Sequence, residues 1–409
     1  MNSLPAAALA GIRVLDLSRI LAGPSATQLL GDLGADVVKV EKPLEGDDTR
    51  RWGPPYVNGT DGKATDESAY YLSANRNKRS IAIDLASLEG RQQVLQLVAR
   101  ADVLVENYKA GGLAQYGLSF EQLCVKFPGL IYCSITGFGQ TGPYASRPGY
   151  DFLIQGMGGI MSLTGEPEGQ PMKVGVGIAD VMTGMYAATG ILAALHYRHS
   201  SGKGQHIDIS LLDTQIAWLV NAGTNYLADR QLPTRLGNGH PNIVPYQVFA
   251  TLDSPMILAV GNDAQFARFC KTAGLDGLVT DPKYSTNPQR IHHRKELCTL
   301  IEQRLREQSR GIWLSELEAA GVPCGPVNDL EDVFSDPHVK ARGAELHMPC
   351  EWADSGEISL LANPLKLSAT PPSYRQSPPR LDEHREEVLR DWLGADFRNP
   401  SQESSSCTN

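Results

Sequence analysis

Strand-like and helix-like segments alternate through the first third of the chain, and this order most limits the folds open to it. Ile12–Leu17 is short and mostly apolar, and Ser25–Gly34 has helical character. Val37–Val40 reads as the next strand, followed by an irregular stretch over 44–67 rich in Gly, Pro and Asp. Ile81–Leu85 is strand-like, Leu88–Arg100 has helical periodicity, and Val103–Val105, Leu118–Phe127 and Leu130–Ile135 continue the alternation. A βαβα order predicts an α/β fold, a parallel sheet with helices on both faces. Ligands then bind beyond the carboxyl ends of the strands. Those ends carry Ser18–Pro24, Glu41-Lys42, Glu106–Lys109 and Thr136–Gln140. None of these ends is read as a GxGxxG dinucleotide fingerprint and no GxxxxGK[ST] loop occurs, so the alternation is read as Rossmann-like without dinucleotide chemistry.

At 409 residues with 42% hydrophobic composition, the chain has room for two domains. The reading is a large domain beginning at 1–200, a linker helix over 201–226 and a smaller α/β domain over 227–325. A return linker and the rest of the large domain follow over 326–396, then a disordered tail over 397–409. A net charge of −9 argues against a nucleic-acid partner. Seven scattered cysteines with no CxxC pair suggest a reducing compartment. No apolar run is read as reaching the ~18–20 residues of a bilayer span. The N-terminus lacks the pattern of a signal peptide. The expectation is a cytoplasmic protein with no membrane contact.

Gly175–Met185 (GVGIADVMTGM) sets one carboxylate, Asp180, between flexible glycines and an apolar helix read over Thr183–His196. The spacing predicts that Asp180 caps that helix, meets its free N–H groups and stays ionised. Most such aspartates are plain caps, but an ionised carboxylate can also be a nucleophile. Arg50, Arg51, Arg76, Lys78, Arg79, Lys42, Lys109 and Arg147 read either as solvated surface charge or as an anion-binding crevice. Trp52, Tyr70, Tyr71, Tyr108, Phe138 and Tyr150 lie near them in sequence. The loop Arg235–Asn242, with Gly237, Gly239 and His240, is either a linker or a lid. His292-His293 diverge on a helix, so no metal site is expected.

Together GIRVLDLSRILAGPSATQLLGDLGADVVKVEKP, ANRNKRSIAIDL, ADVLVENY, SITGFGQTGPY, RPGYD and GIADVMTG resemble the family III CoA-transferases. That group includes formyl-CoA transferase and carnitine CoA-transferase, with the α-methylacyl-CoA racemases as relatives. The likeness spans about residues 9–395. It implies an interlocked homodimer that uses a coenzyme A thioester as substrate, with no permanently bound cofactor, and a free carboxylic acid as the second substrate. It places the nucleophile on Asp180, which would pass through an aspartyl anhydride and an aspartyl-CoA thioester. CoA contacts would fall on Leu21, Ala22, Lys42, Ile83, Asn107, Tyr108, Lys109, Arg147, Tyr150 and Asp151. Trp52, Gly237, Gly239 and His240 would match the acyl pocket and its lid.

Three departures bear on chemistry. Leu21 stands where formyl-CoA transferase has Gln, and Gln115 where it has an arginine for CoA. Tyr150 stands where the racemases place a histidine base, and a phenol is a poor base at neutral pH. Transferase is therefore the reading, with racemase-type isomerase and noncatalytic CoA binding as alternatives. The segments HPNIVPYQVFATLD and DPKYSTNPQRIHHRKEL look most like enzymes moving CoA from succinyl-CoA to dicarboxylates such as glutarate.

Overall fold

A computed structural model describes residues 7–394; the expected tail and Cys407 lie outside the described residues. The alternating segments build β1 (Arg13–Asp16), β2 (Asp36–Glu41), a hairpin of β3 (Tyr56–Asn58) and β4 (Ala64–Ser68), then β5 (Lys78–Ala82), β6 (Val103–Glu106), β7 (Ile131–Thr136) and β8 (His206–Ser210). Six of these form one sheet in the order β5-β2-β1-β6-β7-β8, with every pairing parallel. The order runs outward from β1 in both directions. The loops after β1 and β6 therefore diverge and leave a crevice between them, the switch point where α/β sheets take ligands.

Alternate residues of each strand enter two apolar layers. Val14, Val103 and Val105 pack on one face with Ala26, Leu30, Ala187 and Ile191. Leu15 and Leu104 pack on the other with Val94, Leu97, Leu123 and Trp392. The helix Ile178–Ser201 lies against the helix Ala22–Asp32. Gly184 allows the approach: a Cβ there would come 2.7 Å from the Ala22 carbonyl oxygen.

Two compact units divide the chain. The first holds the large sheet, with residues up to 159, 174–218 and from 340 onward. The second comprises 160–173 and 219–339, a wider span than the expected 227–325. It contains an antiparallel sheet of β9 (Tyr246–Phe249), β10 (Met256–Ala259) and β11 (Cys324–Pro326). Phe266, Phe269, Ile301 and Trp313 fill its core, and the Trp313 indole N–H donates to the Leu305 carbonyl at 2.8 Å. In the first unit, β12 (Glu345–Pro349) and β13 (Glu357–Leu361) form a hairpin, and the helix Arg385–Leu393 packs against β5.

Three expectations are corrected here. The 201–226 segment is not a continuous linker helix: His206–Ser210 adds the sixth strand through β7. Its pattern, HIDIS, alternates as a half-buried strand should. The 44–67 stretch contains a short 3-10 turn over Asp48–Arg51 and the β3–β4 hairpin. The helix Ile178–Ser201 is long and apolar enough to cross a bilayer by length and composition alone. It packs on the sheet layer through Ala179, Ala187, Ile191 and Ala194, while Met185, Tyr186, Leu192 and Tyr197 stay exposed.

Half of the eight basic residues that suggested an anion crevice serve the fold instead. Lys78 meets Asp16 at 3.1 Å, Arg76 meets Asp32 at 2.6 Å, and Arg50 bridges Glu41 and Glu67 at 2.7 and 2.6 Å. Arg79 meets Asp36, Glu387 and Asp391. These groups are buried or nearly so on the basic side. They are neither solvated surface charge nor phosphate ligands. Buried charges must be paired, because removing one partner strands the other in a low dielectric.

Candidate active site

The switch-point crevice is built by two loops tied together. Asn107, after β6, accepts the Arg19 N–H at 3.0 Å and donates to the Arg19 carbonyl at 2.7 Å. Ile20 holds a φ of 73°, costly for a β-branched residue. Its N–H is anchored on the Asp47 carboxylate at 3.1 Å. This bend presents Leu21 and Ala22 to the cavity at the start of the first helix. A third wall is the Arg147–Tyr150 turn. Its backbone crosses the end of β7 so closely that a Cβ on Gly137 would sit 2.5 Å from the Gly149 Cα.

One cavity brings together Leu21, Ala22, Asn107, Tyr108, Lys109, Arg147, Tyr150 and Asp180. Lys109 and Arg147 have no salt-bridge partner among the described residues. The Arg147 guanidinium lies over Tyr144 at 4.5 Å and Phe138 at 5.2 Å, a cation–π seat that fixes it without neutralising it. Gln115, in the place of an arginine, also lines the cavity.

Asp180 is not the helix cap. The helix begins at Ile178 with Gly177 as its N-cap, so Asp180 is its third residue. The capping acceptor is Asp151, whose Oδ1 takes the N–H of Ala179 at 2.8 Å and of Asp180 at 3.4 Å. Gln155 donates to the other Asp151 oxygen at 2.7 Å and accepts the Val174 N–H at 2.9 Å, which ties the preceding loop to the same clamp. The expected ionised state is corrected too. Removal from water, and then the Asp151 charge, push the Asp180 carboxyl up to about 7. The helix start would favour the anion, but Asp151 already occupies its donors. The result is a carboxylate of raised basicity, facing a cavity and free of the N–H bonds that would blunt it.

Other expected residues lie elsewhere. Lys42 is exposed and pairs with Glu45 at 2.7 Å, and Ile83 is buried in the apolar layer beneath the sheet. Neither lines the cavity. Asp151 does not line it either; its role is the cap. Trp52 packs edge-on against Tyr70. The Tyr70 phenol is pushed up to about 12 by removal from water and by Asp180, Asp151 and Asp47, which places it in the field of the two aspartates. In the second unit, Gly237 donates to the Gly165 carbonyl at 3.1 Å. The Gly239 N–H meets the Leu236 carbonyl at 2.8 Å, and His240 Nδ1 accepts the Asn242 N–H at 3.1 Å. His292 and His293 belong to no metal-binding group among the described residues. The functional parts that the sequence reading missed are the Asp151–Gln155 clamp and the Ile20 bend. Only the i,i+4 spacing of Asp151 and Gln155 hinted at the first.

Fold and site together define an α/β protein with a cavity at the switch point of its parallel sheet, a carboxylate of raised basicity in the cavity wall and two cations near it that have no salt-bridge partner among the described residues. The chain belongs to CoA-transferase family III, whose sequence profile matches residues 9–385. It is 50% identical over 381 residues to the succinate–glutarate CoA-transferase of Agrobacterium fabrum, covering 93% of this chain and 94% of that one. It is 43% identical over 390 residues to the succinyl-CoA:glutarate CoA-transferase of Homo sapiens, covering 95% and 87%. The crystal structure of a CAIB/BAIF family protein from Brucella suis is 47% identical, with a TM-score of 0.83, covering 95% of this chain and 100% of that one. The chain is thus a CoA-transferase with an α/β fold, which answers the alternative of a noncatalytic CoA-binding protein.

Proposed function

We propose that this CoA-transferase moves CoA from succinyl-CoA to glutarate through Asp180. The observation that carries the chemistry is the half-buried Asp180 carboxylate in the cavity wall, relieved of capping by Asp151. The substrate pair follows the names of the relatives at 50% and 43% identity. A carboxylate oxygen of Asp180 attacks the succinyl thioester carbon, and CoA leaves as thiolate. The thiolate attacks the Asp180 carbonyl of the mixed anhydride, releasing succinate and leaving an aspartyl-CoA thioester. Glutarate attacks that thioester and frees the thiolate again. The thiolate then attacks the glutaryl carbonyl of the second anhydride, which gives glutaryl-CoA and regenerates Asp180. Each displacement develops negative oxygen beside the helix start.

In this reading Leu21, Ala22, Asn107, Tyr108, Lys109, Arg147 and Tyr150 hold CoA, Lys109 and Arg147 meeting its phosphates. Trp52 borders the acyl end. No resident cofactor is needed, since the thiol carrier is itself a substrate. The reading includes a homodimer in the cytoplasm; the exposed Met185, Tyr186, Leu192 and Tyr197 on one long helix support a partner surface. Mass spectrometry of a mixture of protein, succinyl-CoA and glutarate tests the proposal. Glutaryl-CoA should form, and hydroxy and other dicarboxylic acids serve as competitors. Failure with glutarate but success with another acid would replace the acceptor and leave the Asp180 route intact.

A further inference from the structure

Lys39 is out of place by the logic of its strand. β2 is buried along nearly all its length, and such strands read as apolar runs. Yet Lys39 stands in its middle at 0% exposure. It pairs with Asp47 at 2.8 Å, and both side chains are fully buried. A buried ion pair is weak evidence of stability, because taking two charges out of water offsets most of their attraction. What the pair holds accounts for it better. Lys39 Nζ also donates to the Ser18 carbonyl at 2.9 Å. The Asp47 carboxylate accepts the Ile20 N–H at 3.1 and 3.2 Å, and the N–H and hydroxyl of Thr49 at 3.0 and 2.8 Å.

Ser18 and Ile20 are the two ends of the bend after β1. Every backbone polar group between them is held by a side chain. Asp16 accepts the Ser18 N–H at 2.9 Å, and Lys39 donates to the Ser18 carbonyl. Asn107 takes both the N–H and the carbonyl of Arg19, and Asp47 takes the Ile20 N–H. The bend needs this support, because Ile20 sits at a φ of 73°, where a β-branched residue is strained. The residues it carries are functional ones. Arg19, Ile20, Leu21 and Ala22 line the cavity. Leu21 Cδ2 would lie 3.3 Å from a Cβ on Gly177, the N-cap of the Asp180 helix.

We propose that Lys39 is a positioning residue which, through Asp47 and the Ser18 carbonyl, holds the strained Ile20 bend in the shape that receives CoA. The proposal rests on the reading of the cavity as the CoA site. Lys39 does not line the cavity and touches no ligand. It keeps the receiving shape populated before CoA arrives, so that binding does not have to form the bend. Without Lys39, Ile20 relaxes toward negative φ in part of the molecules. The apparent affinity then falls by the fraction still bent. Glycine adopts a positive φ without this strain. Ile20→Gly therefore makes the bend less dependent on Lys39.

A double-mutant cycle of Lys39→Met and Ile20→Gly, read by calorimetry of CoA binding, tests this. Lys39→Met should weaken CoA binding roughly tenfold in the parent and no more than about threefold in the Ile20→Gly background. A lysine that served the core alone would cost affinity equally in both. Equal losses, or no loss in either, overturn the positioning role and leave the CoA site standing. The charges that Lys39→Met leaves behind keep partners: Asp47 keeps Thr49, and Asp16 keeps Lys78. Should that variant not fold, hydrogen exchange of the unaltered protein decides. The Ile20 amide should be protected at least ~10²-fold without CoA, as a preformed bend requires. Exchange at the open-chain rate until CoA is added would overturn the proposal. A parent that binds no CoA refutes the cavity reading and the positioning role together.

Discussion

The ring of Trp52 meets that of Tyr70 edge-on, centroids 5.3 Å apart and planes at 76°. Tyr70 lies in the field of Asp180 and Asp151, so this pair brings an exposed indole toward Asp180, the proposed nucleophile. Aromatic contacts of this kind contribute about 0.5–1.5 kcal/mol beyond burial. Trp52→Ala should raise KM for succinyl-CoA by roughly three- to tenfold with a smaller change in kcat. Steady-state kinetics with the donor varied checks this.

Asp151 should tune Asp180 through charge as well as geometry. In the proposed mechanism Asp180 attacks as the ionised carboxylate, so kcat/KM should rise with pH and level off above about 7. Asp151→Asn keeps an oxygen for the Ala179 N–H and removes the charge. Its acidic limb should move to lower pH, and a limb that stays in place would exclude this coupling.

The same shift fixes how stability depends on pH. A carboxyl whose folded pKa is raised binds its proton more tightly in the native state. Its contribution is complete below the unfolded value of about 3.8 and is lost as pH rises through about 7. Asp180→Asn does not titrate, so it should gain on the parent between pH 4 and 8 by on the order of 4 kcal/mol. Urea denaturation at several pH values measures the difference.

Cation placement separates two lysines and an arginine. Arg147→Ala and Lys109→Ala should each weaken CoA binding by about tenfold, the loss of one charge-assisted contact. Lys42→Ala, outside the cavity and paired with Glu45, should change it less than twofold. Calorimetry with CoA distinguishes them, and a large loss at Lys42 would contradict this division of the cations.

The sheet is legible in the sequence because apolar runs such as IRVLDL and ADVLVE mark parallel strands buried on both faces. Strand β8 is harder to read, since His206 and Asp208 put polar side chains on one face of a five-residue segment. Local context points to Asp180 but gives its electrostatics wrongly. The cap comes from Asp151, 29 residues earlier in the chain, a contact that no local pattern encodes. The cluster Arg76–Arg79 misleads for the same reason: its partners Asp32, Asp16 and Asp36 lie on other elements.

The central claim is that Asp180 carries the transferring group. Hydroxylamine added during turnover with succinyl-CoA converts an aspartyl anhydride or thioester to a hydroxamate, which peptide mass spectrometry locates. The mechanism predicts a hydroxamate at Asp180 that depends on succinyl-CoA, together with at least ~10³-fold loss of transfer in Asp180→Asn. An unmodified Asp180 during sustained turnover, or near-normal transfer by a verified Asn protein, would contradict it.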